Sequence, residues 1–354
     1  MRIETFSDFA IWNEALAELP VPCRDVYFTP EYHHLHTANG DGEAYCAAVS
    51  EDRSRLLVPG LRVPITFGPG ALRRKALWDV QTCNGYGGPL VSPDVTPDFL
   101  KRAWEAWRRD SAAHGVVAAF LRLHPLLNNS AWLPADARVI EDRKTVFVDL
   151  QQGAQTAWAR ASSRHRNMVN KGRRENVQII WDDPNGWEAF EKLYGEAMER
   201  LNAPPALRFS PAYFAALRNL PCAELACVRR RGELAAAAVF MFGPRWGHYH
   251  LSARQPDAGN HLTNCLLQDA FERAAKYGLE GIHLGGGRSA APGDSLLMFK
   301  RNLGGQLIDF KVALVIVDMD VYRQLCLAWA EETGRQPQWL LGYRQPRPAL
   351  PNKS

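Results

Sequence analysis

Hydrophobic and polar positions along the chain change period several times, and those changes mark its elements. In the second half, AELACVRR and ELAAAAVFMF flank Arg231-Gly232, a strand, turn, strand signature in which glycine supplies the turn conformation. A third strand is predicted over 246–252 and an amphipathic helix over 262–276. Gly278 stops that helix because glycine tolerates the left-handed cap conformation. GIHLGGG then reads as a short buried strand running into a glycine loop.

The same order is written earlier. EAYCAAVS and RLLVPGLRV flank residues 51–54, a helix FLKRAWEAWRRDSAAH ends at Gly115, and the strand VVAAFLRLHP follows. A hairpin, an intervening strand, a helix, a glycine stop and a strand thus occur twice, which suggests duplication of one α/β unit. The polar stretch around 134–144 is the expected hinge, giving domains 1–142 and 143–354. The fold class expected is α/β (α+β), each domain a mixed, mostly antiparallel sheet flanked by helices.

Between the copies, WARASSRHRNMVNKGRRENVQII breaks this pattern. Arg160, Arg164, Arg166, Lys171, Arg173 and Arg174 carry six positive charges with no acid before Glu175. A basic helix is predicted over 158–176, with Arg160, Arg164, Lys171 and Arg174 near one face at helical spacing. The acids that usually neutralise a solvated helix are missing, so a phosphate-bearing ligand is a fair hypothesis. Across the whole chain, 42 Lys and Arg face 38 Asp and Glu, a net charge of +4. That excludes nucleic-acid binding by bulk charge and makes any polyanion site local.

Composition narrows the classes further. With 354 residues, 46% of them hydrophobic and 23% charged, the chain reads as a folded protein of about two domains. Its seven cysteines are scattered and never in Cys-x-x-Cys spacing, which argues against a disulfide framework or zinc ribbon and for a reducing cytoplasm. The N-terminus lacks the order of a signal peptide. The longest apolar run, 234–242, is about half of the roughly 20 residues a membrane span needs. His33, His34 and His36 cluster without an acidic partner at ligand spacing, so no metal site is expected.

The richest candidate chemistry lies in 248–305. In GHYHLSA, His248 and His250 point to one face of the strand and Tyr249 and Leu251 to the other. Gly285, Gly286 and Gly287 follow at a strand end, where a ligand can approach the backbone and N–H groups can meet an oxyanion. A short segment with Lys300 and Arg301 comes next, placing a fixed positive charge nearby. Neither a dinucleotide fingerprint, nor a P-loop, nor a G-x-S-x-G elbow occurs.

These segments together resemble the FemABX-like aminoacyltransferases of the GNAT acyltransferase superfamily, including BioF2-like relatives. TPEYHHLH, GYGGPL and FLRLHPLLNN look like that family's N-terminal half. SSRHRNMVNKGRRENV is similar to its basic helix, LYGEAMERLNA to the helix that follows, and HYHLSA, HLGGG and MFKRNLGG to its closing catalytic segment. The resemblance spans about residues 27–344 and implies two tandem GNAT-like domains. It also implies transfer of an aminoacyl group from aminoacyl-tRNA to the amine of a peptide or sugar-linked precursor, as in peptidoglycan bridge synthesis. No cofactor is implied beyond the aminoacyl-tRNA donor.

By the same resemblance Lys300 is the catalytic lysine, and the chemistry of ester aminolysis gives Tyr249, or a histidine of the same strand such as His250, the task of positioning the amine or shuttling its proton. Gly285, Gly286 and Gly287 form the donor and oxyanion loop. Arg164, Arg166, Lys171, Arg173, Arg174, Tyr86, His124 and Arg301 bind substrate, the acceptor being a phosphate-bearing peptide or glycan reached from the cytoplasm, with possible peripheral contact at the inner membrane face. One departure concerns the acceptor: several Fem-type enzymes carry an acid where this chain has His124 before Pro125.

Two other functions fit the residues less well. Acyl-CoA transfer in GNAT proteins uses a Gln/Arg-x-x-Gly-x-Gly/Ala turn that holds pyrophosphate. Counting from Arg254 or Gln255, neither register supplies the glycines, and Asp257 would repel pyrophosphate. A non-catalytic scaffold binding RNA or an anionic membrane through the basic helix would use the charges but leave Lys300 without a role.

Overall fold

The structure is a computed structural model and describes residues 1–70, 72–291 and 293–347. In chain order the first elements are β1 (Arg2–Phe6), α1 (Phe9–Ala17), α2 (Pro30–Ala38), β2 (Glu43–Glu51), β3 (Ser54–Pro64), β4 (Trp78–Gln81) and β5 (Leu90–Val91). There follow α3 (Pro97–Ala113), β6 (Val116–Arg122), β7 (Arg138–Asp149), α4 (Ala154–Arg160), α5 (Ser163–Arg174), β8 (Ile180–Trp181), α6 (Gly186–Arg200) and α7 (Pro211–Arg218). The last group is β9 (Ala223–Arg230), β10 (Glu233–Phe242), β11 (Trp246–Arg254), α8 (Asn260–Lys276), β12 (Gly281–Gly286), α9 (Ser295–Arg301), β13 (Gln306–Ile316) and α10 (Met319–Thr333).

The chain forms two compact units, and they differ from the contiguous halves 1–142 and 143–354. The first holds Met1–Pro20, Gly40–Glu141 and the segment from Lys311 onward; the second holds Val21–Asn39 and Asp142–Phe310. Two pairings explain the exchanged segments. Val312–Ile316 of β13 pairs antiparallel with β6, which takes the C-terminal segment and α10 into the first unit. In the second unit α2 packs against α7, where the Asn39 side chain accepts from the Ser210 N–H at 2.8 Å.

Each unit repeats the order read from the sequence. In the first, β1, β2, β3, β4 and β6 are successive neighbours: β2 and β3 form a hairpin, and β4 runs parallel to β6. In the second, β9 and β10 form a hairpin, β10 pairs with β11, and β11 runs parallel to β12. Arg231 and Gly232 both take positive φ, 52° and 85°, the backbone a two-residue hairpin turn demands. The helix stops are where expected, with Gly115 at φ 77° after α3 and Gly278 at φ 74° after α8.

Helix amphipathicity supplies both cores. From α3, Phe99, Ala103, Trp104 and Trp107 bury against Val49, Val58 and Val116 of the first sheet. From α8, Leu262, Leu266, Ala270, Phe271 and Ala274 bury against Ala236, Ala238 and Ile282 of the second. Each fully buried Leu or Phe contributes about 1.5–3 kcal/mol by removal from water, so α8 is held to its sheet mainly by apolar burial. Among the described residues no helix is long and apolar enough to cross a membrane.

Candidate active site

The second unit contains one parallel strand pair that comes apart. β11 and β12 pair through Trp246–Gly281, Gly247–Ile282 and His248–His283, and no further. Directly beyond, each strand carries a bulge. Against β10, the residues opposite Val239 and Phe240 are Leu251 and Tyr249, which leaves His250 as the extra residue. Against β7, Leu284 is the extra residue between His283 and Gly285, and Gly285 takes φ 74°. A bulge bends its strand and re-aims the following side chains. Two bulges at the same level part the strands, leaving a wedge between the C-terminal end of β11 and the glycines ending β12.

Lys300 enters this region from α9. Only 7% of its surface is exposed, and its Nζ donates to the Gly286 carbonyl at 2.7 Å. The amine lies 5.8 Å from the centroid of the Tyr249 ring, on the same side of the sheet. Burial lowers its pKa to about 8, opposed by the Asp294 carboxylate. At neutral pH the amine is therefore mostly a cation. The Tyr249 hydroxyl donates to Ser252 Oγ, and burial raises the phenol above its ordinary pKa.

His250 does not join this group. Its Nε2 hydrogen-bonds the Tyr213 hydroxyl at 2.7 Å and its ring packs edge to face on Tyr32, among α2 and α7. Burial holds it neutral, with a pKa down to about 3. His248, on the same side, sits 2.8 Å from the Asp25 carboxylate. Of the strand residues considered for proton transfer, the structure places Tyr249 beside Lys300 and directs His250 elsewhere. His33, also on α2, is buried against the Thr29 carbonyl at 2.8 Å, with a pKa lowered to about 4.

The three glycines have separate tasks. Gly286 presents its carbonyl to Lys300, and Gly285 provides the positive-φ turn. A Cβ on Gly287 would lie 2.3 Å from Asp294 Oδ1, so glycine there admits the carboxylate. The N–H groups of Arg288 and Ser289 point at Asp294 as well, each at 3.0 Å. The loop is thus internally committed at 287–289, and the expected oxyanion donors narrow to the backbone nearer Gly285 and Gly286.

The basic segment is two helices rather than the single one predicted over 158–176. Ser162 stands between α4 and α5 and caps the second, its hydroxyl accepting from the His165 N–H at 3.2 Å. Arg160 therefore leaves the face it was assigned and lies 3.7 Å from Asp149. Arg166 turns back to the Ala159 and Ala161 carbonyls, and Arg173 lies over the Trp158 ring at 5.1 Å. Arg164, Lys171 and Arg174 remain exposed, Lys171 near Glu175 at 3.7 Å. The opposite face packs on α8: His165 Nδ1 meets Asn264 Oδ1 at 2.7 Å, and a Cβ on Gly172 would lie 2.2 Å from Cys265 Sγ.

The remaining expected ligand contacts are dispersed. Arg301 is exposed at the end of α9. Tyr86 and His124 belong to the first unit, where their rings pack edge to face at 6.0 Å. There His124 Nδ1 accepts from the Leu126 N–H, which places the ring proton on Nε2. Sequence reasoning missed Ser252 and Asp294. Asp294 had a readable signal, since Gly293-Asp294-Ser295 before an apolar run is a helix start; the Ser252 role depends on the bulge at His250 and had none.

Comparison with known proteins agrees with this geometry. Residues 159–301 match the acetyltransferase (GNAT) domain family. FemX shares the fold with a TM-score of 0.71 at 13% identity, over 91% of this chain and 99% of FemX. L-PGS from Bacillus licheniformis gives 0.56 at 14% identity, over 87% of this chain and 91% of that one. The C-terminal domain of an Agrobacterium fabrum protein described as a lysylphosphatidylglycerol synthetase gives 0.56 at 14%, over 87% and 92%. No protein of curated function matches the chain in sequence. Residues 159–301 thus carry a GNAT-family acetyltransferase domain that contains β11, β12 and Lys300, and the chain shares its overall fold with FemX.

Proposed function

We propose that the protein transfers an aminoacyl group from aminoacyl-tRNA to the amine of a peptide or sugar-linked precursor. The observation that carries this reading is the buried, mostly protonated Lys300 at the open end of β11 and β12, in the unit that also presents Arg164, Lys171 and Arg174 to solvent. Aminolysis of an ester needs a neutral attacking amine and a group that stabilises the tetrahedral oxyanion. A desolvated ammonium does the second better than an exposed one, because the low dielectric strengthens its field. The amine attacks the ester carbonyl carbon, the oxyanion collapses, and the ribose hydroxyl leaves with a proton. Tyr249 and Ser252 form the hydroxyl pair beside Lys300 that would relay protons between amine and leaving group.

The exposed cations of α5 suit a polyphosphate ligand, and tRNA supplies one. The turn after β11 does not suit pyrophosphate: Arg254 is occupied with the Ala258 carbonyl at 2.6 Å, and Asp257 is exposed beside it. Acyl-CoA remains the second reading because the matched family is an acetyltransferase family. The two are separated by offering radiolabelled aminoacyl-tRNAs and acetyl-CoA in parallel to pooled cell-wall and nucleotide-sugar precursors. Label arriving from charged tRNA is the expected result, and label arriving from acetyl-CoA alone would overturn the proposal.

A further inference from the structure

We infer that Asp294 is the positioning residue of this site: it ties the glycine loop to α9 and thereby places the Lys300 amine. This rests on the reading of Lys300 as the catalytic group. One carboxylate accepts five hydrogen bonds. Oδ1 takes the Leu296 and Leu297 N–H groups at 3.0 and 2.9 Å, capping α9. Oδ2 takes the Arg288 and Ser289 N–H groups at 3.0 Å each and the Ser289 hydroxyl at 3.2 Å. One oxygen thus holds the helix that carries Lys300, and the other holds the loop whose Gly286 carbonyl receives the Lys300 amine.

The close approach is built into the sequence. Only glycine at position 287 leaves room for Oδ1, since a Cβ there would lie 2.3 Å away. The hydrogen bonds hold the Asp294 pKa down, to about 2, so the carboxylate is charged at every pH where the protein would work. Asp294 is also the charged group that opposes the desolvation of Lys300. The Tyr249 ring of β11 also faces the amine, its centroid 5.8 Å away. Of these, Asp294 alone supplies negative charge among the described residues.

Asp294→Asn separates positioning from mere stability. Its amide oxygen can still cap α9, but its NH2 group cannot accept from Arg288 and Ser289. The titration of Lys300 is followed by NMR of protein labelled with ¹³C-lysine, the resonance being assigned by its loss in Lys300→Met. In folded Asp294→Asn the Lys300 midpoint is expected to move to lower pH. Turnover is expected to fall roughly 10- to 100-fold with little change in KM, as misplacement of a catalytic group does. Gly287→Ala, which displaces the carboxylate without removing it, is expected to move the midpoint the same way by less.

An unchanged or raised midpoint in both folded variants would overturn the inference. A wild-type protein without transfer activity toward either donor, but with the midpoint shifted in Asp294→Asn, would sink the catalytic reading of Lys300 and leave the coupling standing.

Discussion

Among the described residues each unit contains one parallel strand pair, and the two pairs end in opposite ways. In the first unit β4 and β6 remain joined past their regular register: the Thr82 N–H donates to the Phe120 carbonyl at 3.1 Å, the Arg122 N–H to Thr82 Oγ1 at 2.9 Å, and Gly87 bridges Leu123. In the second, β11 and β12 part after three residue pairs. Each pair comes after a hairpin, β2–β3 or β9–β10, and in each a helix, α3 or α8, lies between the two strands in the chain. Local bulges, rather than a different topology, distinguish the pair that parts from the pair that stays closed. The first pair has a bulge too, between Trp78 and Asp79, but it lies at the start of the pairing and the strands close again beyond it.

The buried charges follow this division. Asp79 in β4 is fully buried and bound by the Tyr343 hydroxyl at 2.6 Å and by Arg344, so it anchors the C-terminal segment onto its own unit. Burial pushes its carboxyl up and Arg344 pulls it down. Among the described residues, Lys300 has no carboxylate in hydrogen-bond contact and donates to a backbone carbonyl. A charge satisfied by partners is a structural anchor, whereas one held beside an open strand end keeps its field for a substrate.

The sharpest break in the comparison is expected at Asp79. Removing it as Asp79→Ala strands Tyr343 and the partly exposed Arg344 and should cost about 2–3 kcal/mol of stability, read by denaturant titration, with turnover of the folded protein retained. Equal losses of turnover at Asp79 and Lys300 would erase the distinction between anchor and site. A smaller effect is expected on α5. The Arg164→Ala, Arg174→Ala double variant should raise the KM for charged tRNA several-fold and flatten its salt dependence, since each lost phosphate contact lowers the salt slope by about one. Arg166→Ala should instead act on stability, because its guanidinium serves the Ala159 and Ala161 carbonyls.

Acid stability gives a further test. His33 and His250 have pKa values lowered by burial to about 4 and about 3. Below pH 6.5 the unfolded chain takes up protons that the folded one refuses, so stability falls as pH drops from there toward 4. At pH 5 the loss is on the order of 2 kcal/mol for each histidine. His250→Gln, which keeps a side chain able to meet Tyr213, should flatten part of that slope.

Much of this organisation was legible in the residues. The repeated hairpin, helix, glycine stop and strand came from period and punctuation, which are local signals. The exchanged segments were not, because the return of β13 to β6 is a long-range pairing that no local pattern announces. At the site, Lys300 was legible through resemblance and Tyr249 through strand alternation. The bulge that brings Ser252 to Tyr249 was invisible, since it changes the register by one residue without altering composition. The split of the basic segment was readable in principle: Ser162 before Ser163-Arg164 is an N-cap, although the run of positive charge continues across it.

In the proposed mechanism the open strand end with its buried ammonium performs the transfer. Its most direct test is the turnover of Lys300→Met beside wild type with whichever donor proves active, both proteins first shown to melt alike. A drop of roughly 100-fold or more, the scale seen when an oxyanion donor is removed, is the expected result. Near-wild-type turnover in a correctly folded Lys300→Met protein would contradict the account.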